Sequence, residues 1–346
     1  MYYRIKSRRW VILWVSLSCA LLGFLIYLAS CMQCAVMRAT LPVSSANSME
    51  FSPTGDYLAI GDWQRIQLWN VRTKQFVRSF DGFSGYVVAL AFSPRGDLLA
   101  ATILDDHDRA AGVKVFDVQS GKIQYTLHGH SDVVWNLAFS PNGNTLTTAS
   151  WDGTTRFWDM RNGKEYLKLN PNAGRNYCVD FSPDGELVAT GYQNGAVYIW
   201  NARSGRQFET LSAPGGPWQT QGAIGNVCFS LDNRSITSIN EYGTECAWDI
   251  RTRALRRTII KGQGVLRNGI SAGRRLYITG YSHDWIAGDR HYEVVIRNFG
   301  ISQKVCTPVS GLDPAAPYAL SADGRTAAIF TTKRQHMSGV ELWDIR

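Results

Sequence analysis

GHSDVVWNLAFSPNGNTLTTASWDGTTRFWDMRNGKEYLKL, residues 129–169, carries the pattern that decides the fold. Val134–Phe139 is apolar-rich and as short as a buried strand. Pro141-Asn142-Gly143 follows as a turn, with Pro setting φ and Gly supplying a positive φ. Leu146–Ser150 is a second expected strand, and Asp152-Gly153 is a hairpin turn. Thr154–Trp158 is a third strand, and Asn162-Gly163 turns into a fourth, Glu165–Leu169. The stretch predicts one twisted sheet of four short antiparallel strands. Such a sheet cannot bury both faces alone, so it must stack on others of its kind.

Outward from this stretch, two phrases return together. The first is Phe51-Ser52-Pro53-Thr54-Gly55, Phe92-Ser93-Pro94-Arg95-Gly96, Phe139-Ser140-Pro141-Asn142-Gly143 and Phe181-Ser182-Pro183-Asp184-Gly185. It decays to Phe229-Ser230-Leu231-Asp232-Asn233, Ile270-Ser271-Ala272-Gly273 and Leu320-Ser321-Ala322-Asp323-Gly324. Each is followed by a second phrase: Trp69-Asn70, Phe116-Asp117, Trp158-Asp159, Trp200-Asn201, Trp248-Asp249, Arg297-Asn298 and Trp343-Asp344. The period of roughly 40–50 residues is that of a propeller blade.

The paired phrases resemble the WD40-repeat family, and the resemblance covers residues 35–346. It implies an all-β fold, a seven-bladed WD40 β-propeller. The third repeat is the most similar, with Gly129-His130, Thr148, Asp152 and Trp158. In the family these residue types form a hydrogen-bonded tetrad inside the blade, so the resemblance assigns that structural role to His130, Thr148, Asp152 and Trp158. Most other repeats lack the His, and the sixth puts Arg297 at the Trp position. Those blades are expected to depend more on apolar packing.

The last repeat reaches Trp343-Asp344-Ile345-Arg346 after only three strands, which would leave an open edge. Val36-Met37-Arg38-Ala39-Thr40 compares with Phe76-Val77-Arg78-Ser79-Phe80, a fourth strand. Ala35–Leu41 is therefore predicted to close the ring with the last blade.

The N-terminus differs in kind. Residues 1–10 are a basic flank with Arg4, Lys6, Arg8 and Arg9, and residues 11–30 contain no charge. Twenty helical residues span a hydrocarbon core of about 30 Å. Bases precede this segment and Arg38 is the first to follow it. The bias predicts a single-pass transmembrane helix, a signal-anchor, with the propeller on the non-cytoplasmic side. Leu28-Ala29-Ser30-Cys31 offers an alternative, a cleaved bacterial lipoprotein signal with lipidation at Cys31. The few residues between the segment and Ala35 reach at most about 14 Å. The bottom face, where a fourth strand starts, is thus expected near the bilayer. Its turns hold Arg72, Lys74, Lys122, Arg161, Lys164, Arg203, Arg206, Arg251, Arg253, Arg274, Arg275 and Arg325, which suit anionic lipid.

The top face points away, and its loops are where partners are expected. They carry Trp63, Trp151, Tyr192, Tyr242 and Trp285, with Trp218 in the Ser212–Gly225 entry and Trp135 near the top of its strand. Aromatic side chains bury large area at low entropy cost, so these are the expected protein contacts. Asp105, Asp106, His107 and Asp108 are consecutive and read as a solvated loop, as do His283, Asp284 and His291; no metal or cofactor is expected. The net charge of +8 is spread without a run of like charges, so no nucleic-acid stripe is expected. The expected function is a membrane-tethered, non-catalytic scaffold presenting its top face to a protein or peptide. One alternative is a small-molecule or metal-binding or enzymatic propeller using His107, His283, Asp284 and Arg290. Another is a structural envelope lipoprotein.

Overall fold

The computed structural model describes residues 35–105, 112–212, 222–259, 268–270, 276–286, 289–298, 304–310, 316–331 and 338–345. Among them the regular elements are all strands, grouped into seven four-stranded antiparallel sheets. The third sheet runs Val134–Phe139, Thr145–Ser150, Thr155–Asp159 and Lys164–Leu169, within one residue of the sequence expectation.

The chemistry of Phe-Ser-Pro-x-Gly explains why the phrase recurs. Ser140 Oγ donates to Asn142 Oδ1 at 2.8 Å and accepts the Thr145 N–H at 3.0 Å, while the Gly143 N–H closes on Ser140 O at 2.8 Å. Gly143 sits at φ +75°, where a side chain is strained. The decayed fifth copy keeps the mechanism: Ser230 Oγ donates to Asp232, accepts the Ser235 N–H, and Asn233 takes the left-handed position at φ +57°.

Cores lie between sheets rather than within them. Ala149, Phe157 and Leu169 of the third sheet pack with Val179, Phe181 and Val188 of the fourth. The same arrangement joins first to second, second to third and fourth to fifth. Burying one such Leu or Phe contributes roughly 1.5–3 kcal/mol. The seventh sheet packs on the first through Leu41, Val43, Leu58, Ile60, Phe330, Val340 and Leu342.

Ala35–Leu41 pairs with Gly339–Ile345, Val36 opposite Asp344 and Leu41 opposite Val340. The N-terminal strand therefore completes the last sheet, and Leu41 is fully buried.

One loop expectation is corrected. The expected loop of His283, Asp284 and His291 instead falls on two paired strands: Leu276–Ile286 and Asp289–Asn298 pair out to Ile286 opposite Asp289. Its polar residues hid strand extension. Residues 1–34, with the expected anchor segment and Cys31, lie outside the described residues, and among those described no helix is long and apolar enough to cross a membrane.

Candidate functional site

Within each sheet the second-to-third turn and the entry to the first strand lie at the same end, here called the top. At the top of the third and fourth sheets, rings converge. Trp135 and Trp151 stack with centroids 4.9 Å apart and planes at 19°. Tyr177 meets Trp151 edge-on at 6.2 Å, and the Arg175 guanidinium lies 4.6 Å from the Trp151 ring. Trp151 is held by its backbone N–H on Val133 O at 2.9 Å, and Arg175 by reciprocal backbone and side-chain bonds with Gln193. Trp151 Nε1 is buried without a hydrogen-bond partner among the described residues. Both indoles are half-buried, and Arg175 is exposed. A partly wet cation on a ring contributes about 0.5–1 kcal/mol and fixes the ring's tilt.

Trp135 and Tyr177 also line a cavity of about 720 Å³, walled by first strands of the described sheets. Polar side chains stitch this wall. Asn136 Oδ1 accepts the Val179 N–H at 3.1 Å and Asp180 Oδ2 accepts the Phe229 N–H at 3.0 Å, each bridging to the next sheet. Glu50 occupies the same place before Phe51 as Asp180 before Phe181. Burial against this wall pushes its carboxyl up to about 8.

Deeper in the third sheet, His130 Nε2 lies 2.7 Å from Thr148 Oγ1 and His130 Nδ1 lies 2.9 Å from Asp152 Oδ2. Trp158 Nε1 donates to Thr148 Oγ1 at 2.9 Å. Burial alone would raise the Asp152 carboxyl, but hydrogen bonds and charge from His130, with Thr154, hold it well below the ordinary carboxylate range.

The family model described as WD domain, G-beta repeat matches residues 74–110, 121–159 and 177–201. The chain carries WD40 repeats at these three positions. A stretch of 125 residues is 31% identical to the Poly(A)+ RNA export protein of Schizosaccharomyces pombe, covering 34% of this chain and 34% of that protein. A stretch of 111 residues is 32% identical to Periodic tryptophan protein 2 of Arabidopsis thaliana, covering 32% of this chain and 12% of that protein. The matched part thus spans about a third or less of either relative's length.

The WD40 tetrad chemistry fades around the molecule. Trp200 Nε1 still donates to Thr190 at 2.8 Å, Trp248 Nε1 reaches Ser238 at 3.4 Å, and Trp343 Nε1 is buried without a partner among the described residues. Among the expected partner contacts, Tyr192 is corrected. It is fully buried, Asn176 Nδ2 donates to its hydroxyl at 3.4 Å, and burial raises that hydroxyl to about 12. It cannot touch a partner. Trp63 is exposed and edge-on to Tyr86 at 4.4 Å, and Tyr242 is exposed beside Gly222; neither joins the Trp135–Trp151 cluster. Trp285 falls on the Leu276–Ile286 strand, not in a loop. Trp218 and Asp106-His107-Asp108 lie outside the described residues, and no cluster of metal-ligating side chains occurs among those described.

Arg175 and Tyr177 were not expected from sequence. Tyr177 stands four places before Phe181, as Trp135 does before Phe139, and aligning the repeats finds it. Arg175 carries no such signal.

Proposed function

We propose that this WD40 chain is a non-catalytic scaffold: a closed seven-bladed propeller, tethered by residues 11–30, whose top face captures a protein or peptide partner. The carrying observation is the Trp135–Trp151–Tyr177 platform with Arg175 over it, at the mouth of the central cavity. Rings already packed against each other lose little freedom when a partner covers them. The exposed Arg175 guanidinium favours an acidic or carboxylate-bearing segment. The unbroken packing from the seventh sheet through the first to the fifth supports the ring. The names of both relatives state no reaction, which agrees with a scaffold.

A photoreactive benzoylphenylalanine in place of Tyr177, in the full chain in its native membrane, tests the surface. Cross-linking to one discrete protein, absent when the probe replaces Phe208, is the expected result. Cross-linking to RNA alone, or equal yields from both positions, contradicts it.

A further inference from the structure

We propose that the bottom rim of the propeller is a second docking surface and that its occupant is the interface of an anionic lipid bilayer. The inference rests on the tethered reading above and adds the geometry of contact.

The observation is a repeated bulge. In each sheet the third and fourth strands slip register opposite the Trp position, as between Leu68 and Trp69, Val115 and Phe116, Phe157 and Trp158, and Ile199 and Trp200. A bulge places an additional, unpaired residue on one strand and re-aims its side chain. The two fourth-strand positions at this bulge hold at least one apolar residue in every sheet. They are Phe76-Val77, Ile123-Gln124, Glu165-Tyr166, Gln207-Phe208, Met37-Arg38 and Leu255-Arg256, where Leu255 is half-buried against the core, and in the sixth sheet Lys304-Val305. Phe76, Tyr166 and Phe208 are 52%, 50% and 50% exposed. The far ends of the same strands are buried at Phe80, Leu127, Leu169 and Leu211. The apolar belt is thus confined to the end opposite the aromatic platform. Leu231 and Tyr57, in or just after first-to-second turns, are exposed at that end as well.

Charge indicates what covers the belt. The adjoining third-to-fourth turns present Arg72, Lys74, Lys122, Lys164, Arg203 and Arg206, all exposed and without an ion pair among the described residues. Several carboxylates at this end are turned into their own turns: Asp117 on Ser120, Asp159 on Arg161, Asp184 on Ser182 and Asp232 on Ser230. Rings and aliphatic groups ringed by bases match the headgroup and acyl boundary, where apolar side chains insert and bases meet anionic lipid. The chain also enters the fold here. Ala35 is paired with Ile345 at the bottom end, with four residues between it and the uncharged segment 11–30.

The test uses the full chain in nanodiscs of phosphatidylcholine with phosphatidylserine, carrying benzoylphenylalanine at Phe208 or Ile123, or at Trp63 or Tyr242 on the top. Lipid cross-linking at least fivefold higher from the rim positions supports the proposal. In a Val77→Ser, Phe76→Ser variant with unchanged circular dichroism, the yield from Ile123 should fall at least threefold. Equal lipid yield from rim and top, or an unchanged yield in that variant, overturns it. Either result leaves the Tyr177 experiment unaffected, so the two readings fail separately.

Discussion

Asp152 shows what one side chain can decide. Its carboxyl is held low in the folded state by His130 and Thr154, so ionised Asp152 favours folding. That contribution is present above the unfolded value near 3.9 and is lost as pH falls toward the folded one. Asp152→Asn should therefore lower stability by about 1–3 kcal/mol at pH 7, with the gap from the parent chain closing below about pH 4 in urea titrations. Glu50 has the opposite sign. Its folded value near 8 exceeds the unfolded one, so stability is lost as pH rises between them. Glu50→Gln should stabilise by about 1–2 kcal/mol at pH 8.5 and do little at pH 4. The tetrad residues were legible because four residue types sit at family spacing. The burial of Tyr192 was not: a ring at a turn can face water or inward, and here the Asn176 amide and a sealed wall between the third and fourth sheets turn it in.

The strand Ala35–Leu41 is the element that completes the last sheet. Leu41 contributes to the core between the seventh and first sheets. Leu41→Ala should cost roughly 2–5 kcal/mol by chemical denaturation, as large as a mid-core cavity, although it lies in the first described strand. A cost below 1 kcal/mol would mean that the strand is dispensable. This pairing could be read from the sequence because Val36–Thr40 is spelled like a fourth strand and the last repeat lacks one. The paired strands of the sixth repeat are not legible in sequence because Ser282, His283 and Asp284 mimic a loop, while only pairing across to Tyr292 and His291 reveals a strand. The bulges of the fourth strands were equally silent, since a register slip leaves no mark on one-dimensional alternation.

At the scale of the molecule, the two ends differ in chemistry. The top gathers Trp135, Trp151, Tyr177 and Arg175 on adjacent sheets, whereas the bottom repeats a belt of apolar groups and bases around the described rim. The repeat made the fold and its polarity readable, because turn chemistry assigns each phrase to one end. It did not reveal which rings cooperate, since that depends on neighbouring sheets presenting equivalent positions to each other. The scaffold claim is tested most directly by the amount of partner retained on a Trp135→Ala, Trp151→Ala, Arg175→Ala chain relative to the parent, with Tyr242→Ala as a surface control and thermal unfolding matched. The account expects at least a tenfold loss for the triple variant and none for the control. Undiminished capture by a folded triple variant would contradict it.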